Sequence, residues 1–151
     1  MSGIQQKIFE EGKLAQIGHL CWAYVILILQ NTALNELKDF VQLTYTLFDS
    51  VEQSCPNFTL GDMLPTDDMQ TFLEKLFKCE MPKYGLRLPR HKEALIVCHG
   101  DHYHCFLNKG TQDFPDIWRF NSMLHKELVQ SSKEEFRELI PDHCWLIYVS
   151  S

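Results

Sequence analysis

Positive charge is scarce in this chain. Fourteen Lys and Arg stand against twenty Asp and Glu, for a formal net charge of -6, and the densest basic stretch, Lys83 to Lys92, is short. A nucleic-acid partner demands a phosphate footprint of many cations on one face, so that class is excluded from the expectation. Solubility alone accounts for an acidic charge of this size, although such a surface also suits a basic protein or peptide. Long hydrophobic runs are lacking too: the longest, Leu20 to Leu29, is half of the roughly 20 residues a membrane span needs, which assigns it to a protein core. Glycine and proline number only seven and six in 151 residues, and neither is concentrated, so no low-complexity tail or internal repeat is expected. Residues 1 to 13, with Glu10 and Glu11, lack the basic, apolar and small-residue order of a signal peptide. Cysteine is the exception to this thinness, with six residues. Cys21, Cys98, Cys105 and Cys144 lie in apolar segments without an export signal, so reduced thiols and a cytosolic location are expected, in the cell of origin or in another organism's cytosol after delivery.

What is present reads as one α+β domain spanning residues 1–151. The run from Cys21 to Gln30 is apolar throughout, where periodicity cannot separate strand from helix; its context favours a buried helix. A second helix is marked by Leu37, Phe40, Val41, Thr44, Leu47, Phe48 and Val51 at three- and four-residue steps, and ends at Cys55-Pro56-Asn57. A third starts where Asp67 can cap, with Gln70 at the third helical position and a stripe of Met69, Phe72, Leu73, Leu76 and Phe77. After Pro82 the texture changes. Tyr84 to Leu88, Ala94 to His99, His102 to Leu107, Ile117 to Asn121 and Cys144 to Val149 are short and rich in β-formers, which predicts an antiparallel sheet. Ser132 and Glu135 form a possible capping box for a last helix carrying Phe136, Leu139 and Ile140, stopped by Pro141.

Two segments carry nucleophile and base chemistry. Cys21 opens the apolar run, and a thiol at a helix N-terminus gains thiolate character from unpaired N–H groups and the macrodipole. Gly18 suits a sharp turn into that helix, and Gln16 can aim its amide at an oxyanion formed during acyl transfer. The plain alternative is that Cys21 is one more small buried hydrophobe. A base must accompany the thiol, and the segment Cys98 to Cys105 holds His99, His102 and His104. On a strand, His102, His104 and Phe106 share one face, and Tyr103, Cys105 and Leu107 the other, so alternation does not choose between His102 and His104. Asn121 on a partner strand can accept from the imidazole Nδ1–H and fix its tautomer. Pairing His102 with Asn121 sets His104 opposite Arg119 and Phe106 opposite Ile117; a slip of two residues sets His104 opposite Asn121 and keeps the same alternation. A zinc site from Cys98, His99, His102, His104 or Cys105 is the rival, weakened by the absence of a second ligand pair. Histidines that merely fill a half-buried strand are the third reading.

Three fragments resemble the Josephin family of papain-like deubiquitinating cysteine proteases. Gln16-Ile17-Gly18-His19-Leu20-Cys21 is similar to the family's entry into its catalytic helix. Asp101-His102-Tyr103 resembles the acidic-His-aromatic strand that bears the base, and favours His102. Trp118-Arg119-Phe120-Asn121-Ser122-Met123-Leu124 resembles the strand ending in the third catalytic residue, and Cys144 to Val149 looks like the family's closing strand. Residues 31 to 90 match only as helical texture, Trp22 is more like papain at that position, Tyr103 stands where the family usually has Trp, and the Lys109 to Asp116 loop is longer. The resemblance implies a papain-like fold in which Cys21 attacks, His102 moves the proton, Asn121 orients His102 and Gln16 stabilises the oxyanion. It implies ubiquitin or ubiquitin conjugates as partner, cleaved after their C-terminal glycines, with no metal or organic cofactor. A papain-like protease or acyltransferase of other specificity, and a ubiquitin-binding module with an idle triad, are the alternatives.

Overall fold

The computed structural model describes residues 21–30, 49–51, 53, 55, 64–82, 85–100, 102–121, 128–141 and 144–151. The apolar run is a helix, α1, Cys21–Gln30, and from Cys21 to Leu29 no residue is more than 7% exposed. A helix apolar on every side is stable only when other elements surround it. Of the second predicted helix, residues 49–51 and 53 are helical, and its apolar steps from Leu37 to Phe48 lie outside the described residues. Cys55 has left the helix, with its N–H still bonded to the Val51 carbonyl at 2.9 Å.

Helix α2, Thr66–Leu76, starts one residue before the cap expected at Asp67. Pro65 occupies the capping position in extended conformation without a side-chain bond. Asp67 and Asp68 therefore lie inside the first turn, where they act on the helix dipole as charges. Met69, Phe72 and Leu73 are its buried stripe, as their spacing predicted.

The strands are β1 (Lys78–Glu80), β2 (Glu93–His99), β3 (His102–Asn108), β4 (Ile117–Phe120), β5 (Val129–Gln130) and β6 (Trp145–Ser150). They form one six-stranded antiparallel sheet in the order β1-β6-β2-β3-β4-β5. A strand was expected at Tyr84 to Leu88, but residues 85–88 are not in a strand. The Tyr148 hydroxyl accepts from the Arg87 N–H at 2.8 Å and donates to the Arg87 carbonyl at 2.7 Å, so a side chain takes the place of a ladder partner there. Strands β1 and β5 were not foreseen; at three and two residues they are too short to show alternation.

Both faces of the sheet are covered. Ala94, Ile96, Cys98, Tyr103, Cys105, Leu107, Ile147 and Val149 pack with α1 and α2. Leu95, Val97, Phe106, Ile117 and Tyr148 pack on the other face with Phe136, each fully buried phenylalanine contributing roughly 2–3 kcal/mol. Phe136 belongs to α3, Lys133–Glu138, where Ser132 Oγ accepts from the Glu135 N–H at 3.1 Å. The capping box is half made, because the Glu135 carboxylate turns instead toward Arg119, 3.5 Å away. The helix stops before Leu139 and Ile140, which were expected within it, and Leu139 is 41% exposed.

Candidate active site

The β2–β3 hairpin positions the site. His99 pairs with His102 across a two-residue turn, and Gly100 takes a φ of 61°, a left-handed conformation that costs glycine nothing. In such a hairpin the flanking pair exchanges both backbone hydrogen bonds, so the next residue, Tyr103, points its N–H away from β2 and toward the β4 side. Strand β4 ends at Phe120, opposite Cys105. At that position the thiol of Cys21 serves as acceptor: the Tyr103 N–H donates to Cys21 Sγ at 3.4 Å. Because this N–H belongs to the peptide joining His102 to Tyr103, the His102 Cα lies within roughly 6 Å of the sulfur. The sheet thus brings the first described residue of α1 to the start of β3.

Asn121 closes the set from the end of β4. His102 Nε2–H donates to Asn121 Oδ1 at 2.7 Å. A carbonyl oxygen only accepts, so this bond puts the neutral ring's proton on Nε2 and makes Nδ1 the basic nitrogen. The bond was expected at Nδ1, and the structure uses the other nitrogen. The structure also chooses between the two registers that alternation left open. Cys105 opposite Phe120 and Phe106 opposite Arg119 are the two-residue slip, not the pairing of His102 with Asn121. Continued by one step, that ladder sets Asn121 opposite His104, and its side chain reaches diagonally to His102.

Side-chain environment separates the two histidines where alternation could not. His104 lies between His102, stacked at 6.3 Å between ring centroids, and Phe106, edge-on at 5.7 Å. Burial first, then the neighbouring His102, His99 and Arg119, lower its pKa to about 4. A group that gains a proton only near pH 4 is a poor acceptor at neutral pH. A small cavity of about 100 Å³ lined by His104, Phe106, Arg119, Phe120, Asn121 and Leu139 adjoins this pair.

Tyr103 is the contributor that residue-type reasoning passed over, because its part is played by a backbone N–H. Its side chain is fully buried, donates to the Leu64 carbonyl at 2.7 Å and meets the edge of Trp145 at 6.0 Å. Burial, the neighbouring Cys98 and Cys21, and Asp68 raise the phenol's pKa far above its ordinary value, so it stays a neutral donor. Gln16, the turn from Gln16 to Leu20, and Asp101 lie outside the described residues. Among the described residues no three His, Cys, Asp or Glu side chains converge as a metal site; Cys98 and Cys105 belong to the face opposite Phe106. None of the six cysteines is in a disulfide, and no described helix is long and apolar enough to cross a membrane. No protein-family model matches the chain, and no curated protein or solved structure matches it either.

Proposed function

We propose that this chain is a thiol-dependent hydrolase with Cys21 as nucleophile, His102 as base and Asn121 as the residue that orients His102. The observation that carries the reading is the meeting of three separate elements: Cys21 Sγ at the Tyr103 N–H, and Asn121 on the adjacent imidazole. In this scheme Nδ1 of His102 takes the thiol proton, and the thiolate, stabilised by the Tyr103 N–H, attacks the substrate carbonyl. His102 then protonates the departing amine, and water hydrolyses the acyl-thioester. Gln16 would supply the oxyanion donor.

The resemblance of the Gln16–Cys21, Asp101–Tyr103 and Trp118–Leu124 segments to Josephin enzymes supports a papain-like arrangement and ubiquitin conjugates as the substrate class. Substrate choice is a property of the site and not of a fold. Six cysteines outside any disulfide fit action in a reducing compartment. The test is reaction with ubiquitin bearing a C-terminal electrophile, read as a covalent adduct by mass. Adduct on Cys21, its loss in Cys21→Ala, and turnover of a ubiquitin–fluorophore substrate are expected. Wild-type turnover in purified Cys21→Ala protein would refute the nucleophile. Hydrolysis of bulky peptide substrates without reaction on ubiquitin would move the reading to a papain-like protease of other specificity, and ubiquitin binding without turnover to an idle module.

A further inference from the structure

A second cavity lies at the far end of β3, at Asn108, about six residues or roughly 20 Å from His102. The densest basic stretch of an otherwise acidic chain, Lys83 to Lys92, delivers Arg87 and Arg90 to a cavity of about 410 Å³ that Arg137 of α3 lines from another side. Leu88, Pro89, Asn108, Gln112 and Pro115 line the rest of it.

The walls are organised in advance. The Arg87 fork reaches Glu93 at 2.6 and 3.3 Å, and its guanidinium sits 4.0 Å above the Tyr148 ring. Glu93 Oε1 also accepts from the Arg90 N–H at 2.9 Å. Across the cavity, buried Asn108 accepts through Oδ1 from the N–H groups of Gly110 at 2.8 Å and Asp116 at 3.0 Å, and donates to the Pro89 carbonyl at 2.9 Å. Gly110 passes so close to the Phe114 carbonyl that a Cβ would collide with backbone. The Arg87 and Asn108 walls are thereby fixed, while the exposed side chains of Arg90 and Arg137 give up rotamer freedom when a ligand enters.

Charge is left over in this frame. Arg87 is neutralised by Glu93, but Arg90 reaches only an exposed Glu80 at 3.6 Å, and Arg137 makes no ion pair among the described residues. Two guanidinium groups on separate elements thus have N–H donors to give. One carboxylate is already satisfied by a single arginine fork, whereas a phosphate monoester offers three terminal oxygens to donors arriving from different directions. The cavity volume lies within the range of small-ligand sites, which leaves room for more than the phosphoryl group alone.

We propose that this cavity binds a phosphate monoester through Arg90 and Arg137, with Arg87 as the fixed wall, independently of the hydrolase reaction. The experiment is titration of the full chain with O-phosphoserine, inorganic phosphate and glutamate at low ionic strength, followed by amide and arginine Nε resonances. Saturable O-phosphoserine binding is expected, with shifts at Arg90, Gln112 and Arg137. Arg90→Ala and Arg137→Ala, at exposed positions outside the core, should each weaken it about tenfold or more, while Lys78→Ala leaves it unchanged. Equal affinity for inorganic phosphate would mark a free ion as the ligand, and tighter binding of a phosphoserine peptide a peptide-borne group; either supports the site. Absence of saturation, unchanged affinity in the double arginine variant, or glutamate binding as tightly as O-phosphoserine would overturn it.

Discussion

Replacing His104 by Phe should make the protein more resistant to acid, by an amount that follows from the burial of this imidazole. The folded chain protonates His104 only near pH 4, whereas the unfolded chain does so near 6.5. Between those values the unfolded state binds more protons, so the stability present above pH 6.5 is lost progressively as pH falls toward 4. For a single group with these two constants the loss is about 2 kcal/mol at pH 5 and about 3 kcal/mol once both states are protonated. Phenylalanine keeps a flat ring between His102 and Phe106 and cannot be charged. Urea denaturation of wild type and His104→Phe at pH 7.5, 6, 5 and 4.5 measures the difference, and carboxylates common to both proteins cancel in it. Wild type should lose about 2 kcal/mol more than the variant between pH 7.5 and 5. Parallel pH profiles would show that His104 is solvated in the folded protein, and would reopen the choice between it and His102 as base.

Other outcomes follow from the same contacts. Tyr103→Phe leaves the buried Leu64 carbonyl without its donor and should cost about 1–2 kcal/mol in urea unfolding, while the backbone N–H to Cys21, and hence the proposed turnover, is retained. Asn108→Ala removes the partner of the Gly110, Asp116 and Pro89 backbone groups. It should cost about 2–3 kcal/mol and abolish saturable O-phosphoserine binding. For the proposed reaction, His102→Ala should eliminate turnover, whereas Asn121→Ala, which frees the ring without removing it, should leave a measurable residual rate; equal losses would mean that Asn121 does more than orient. His104→Ala should remain active where His102→Ala is dead, and the reverse result would assign the base to His104.

Sequence alone determined the elements that carry strong local signals. The stripe of α2 and the alternation of β3 were legible because each buries a surface whose period is set by backbone geometry, and the all-apolar stretch at Cys21–Gln30 was legible as core by its composition, with only its context pointing to a helix. The candidate residues Cys21, His102 and Asn121 were legible as residue types in order. Their meeting was not. A slip of two residues between β3 and β4 preserves every inward and outward side chain, so alternation leaves the register open. It is decided by Asn108, which belongs to the ladder opposite Ile117 because its buried carboxamide ties the 109–116 loop shut. The same limit applies to β1 and β5, which exist only because β6 and β4 present edges to pair with. It applies also to the segment before β2, where a tyrosine 61 residues away in sequence supplies the hydrogen bonds a strand partner would have given. Which imidazole nitrogen Asn121 holds, and how deeply His104 is buried, depend on groups brought together from β2, β3 and β4. No local pattern encodes those long-range distances, and the tertiary structure alone sets them.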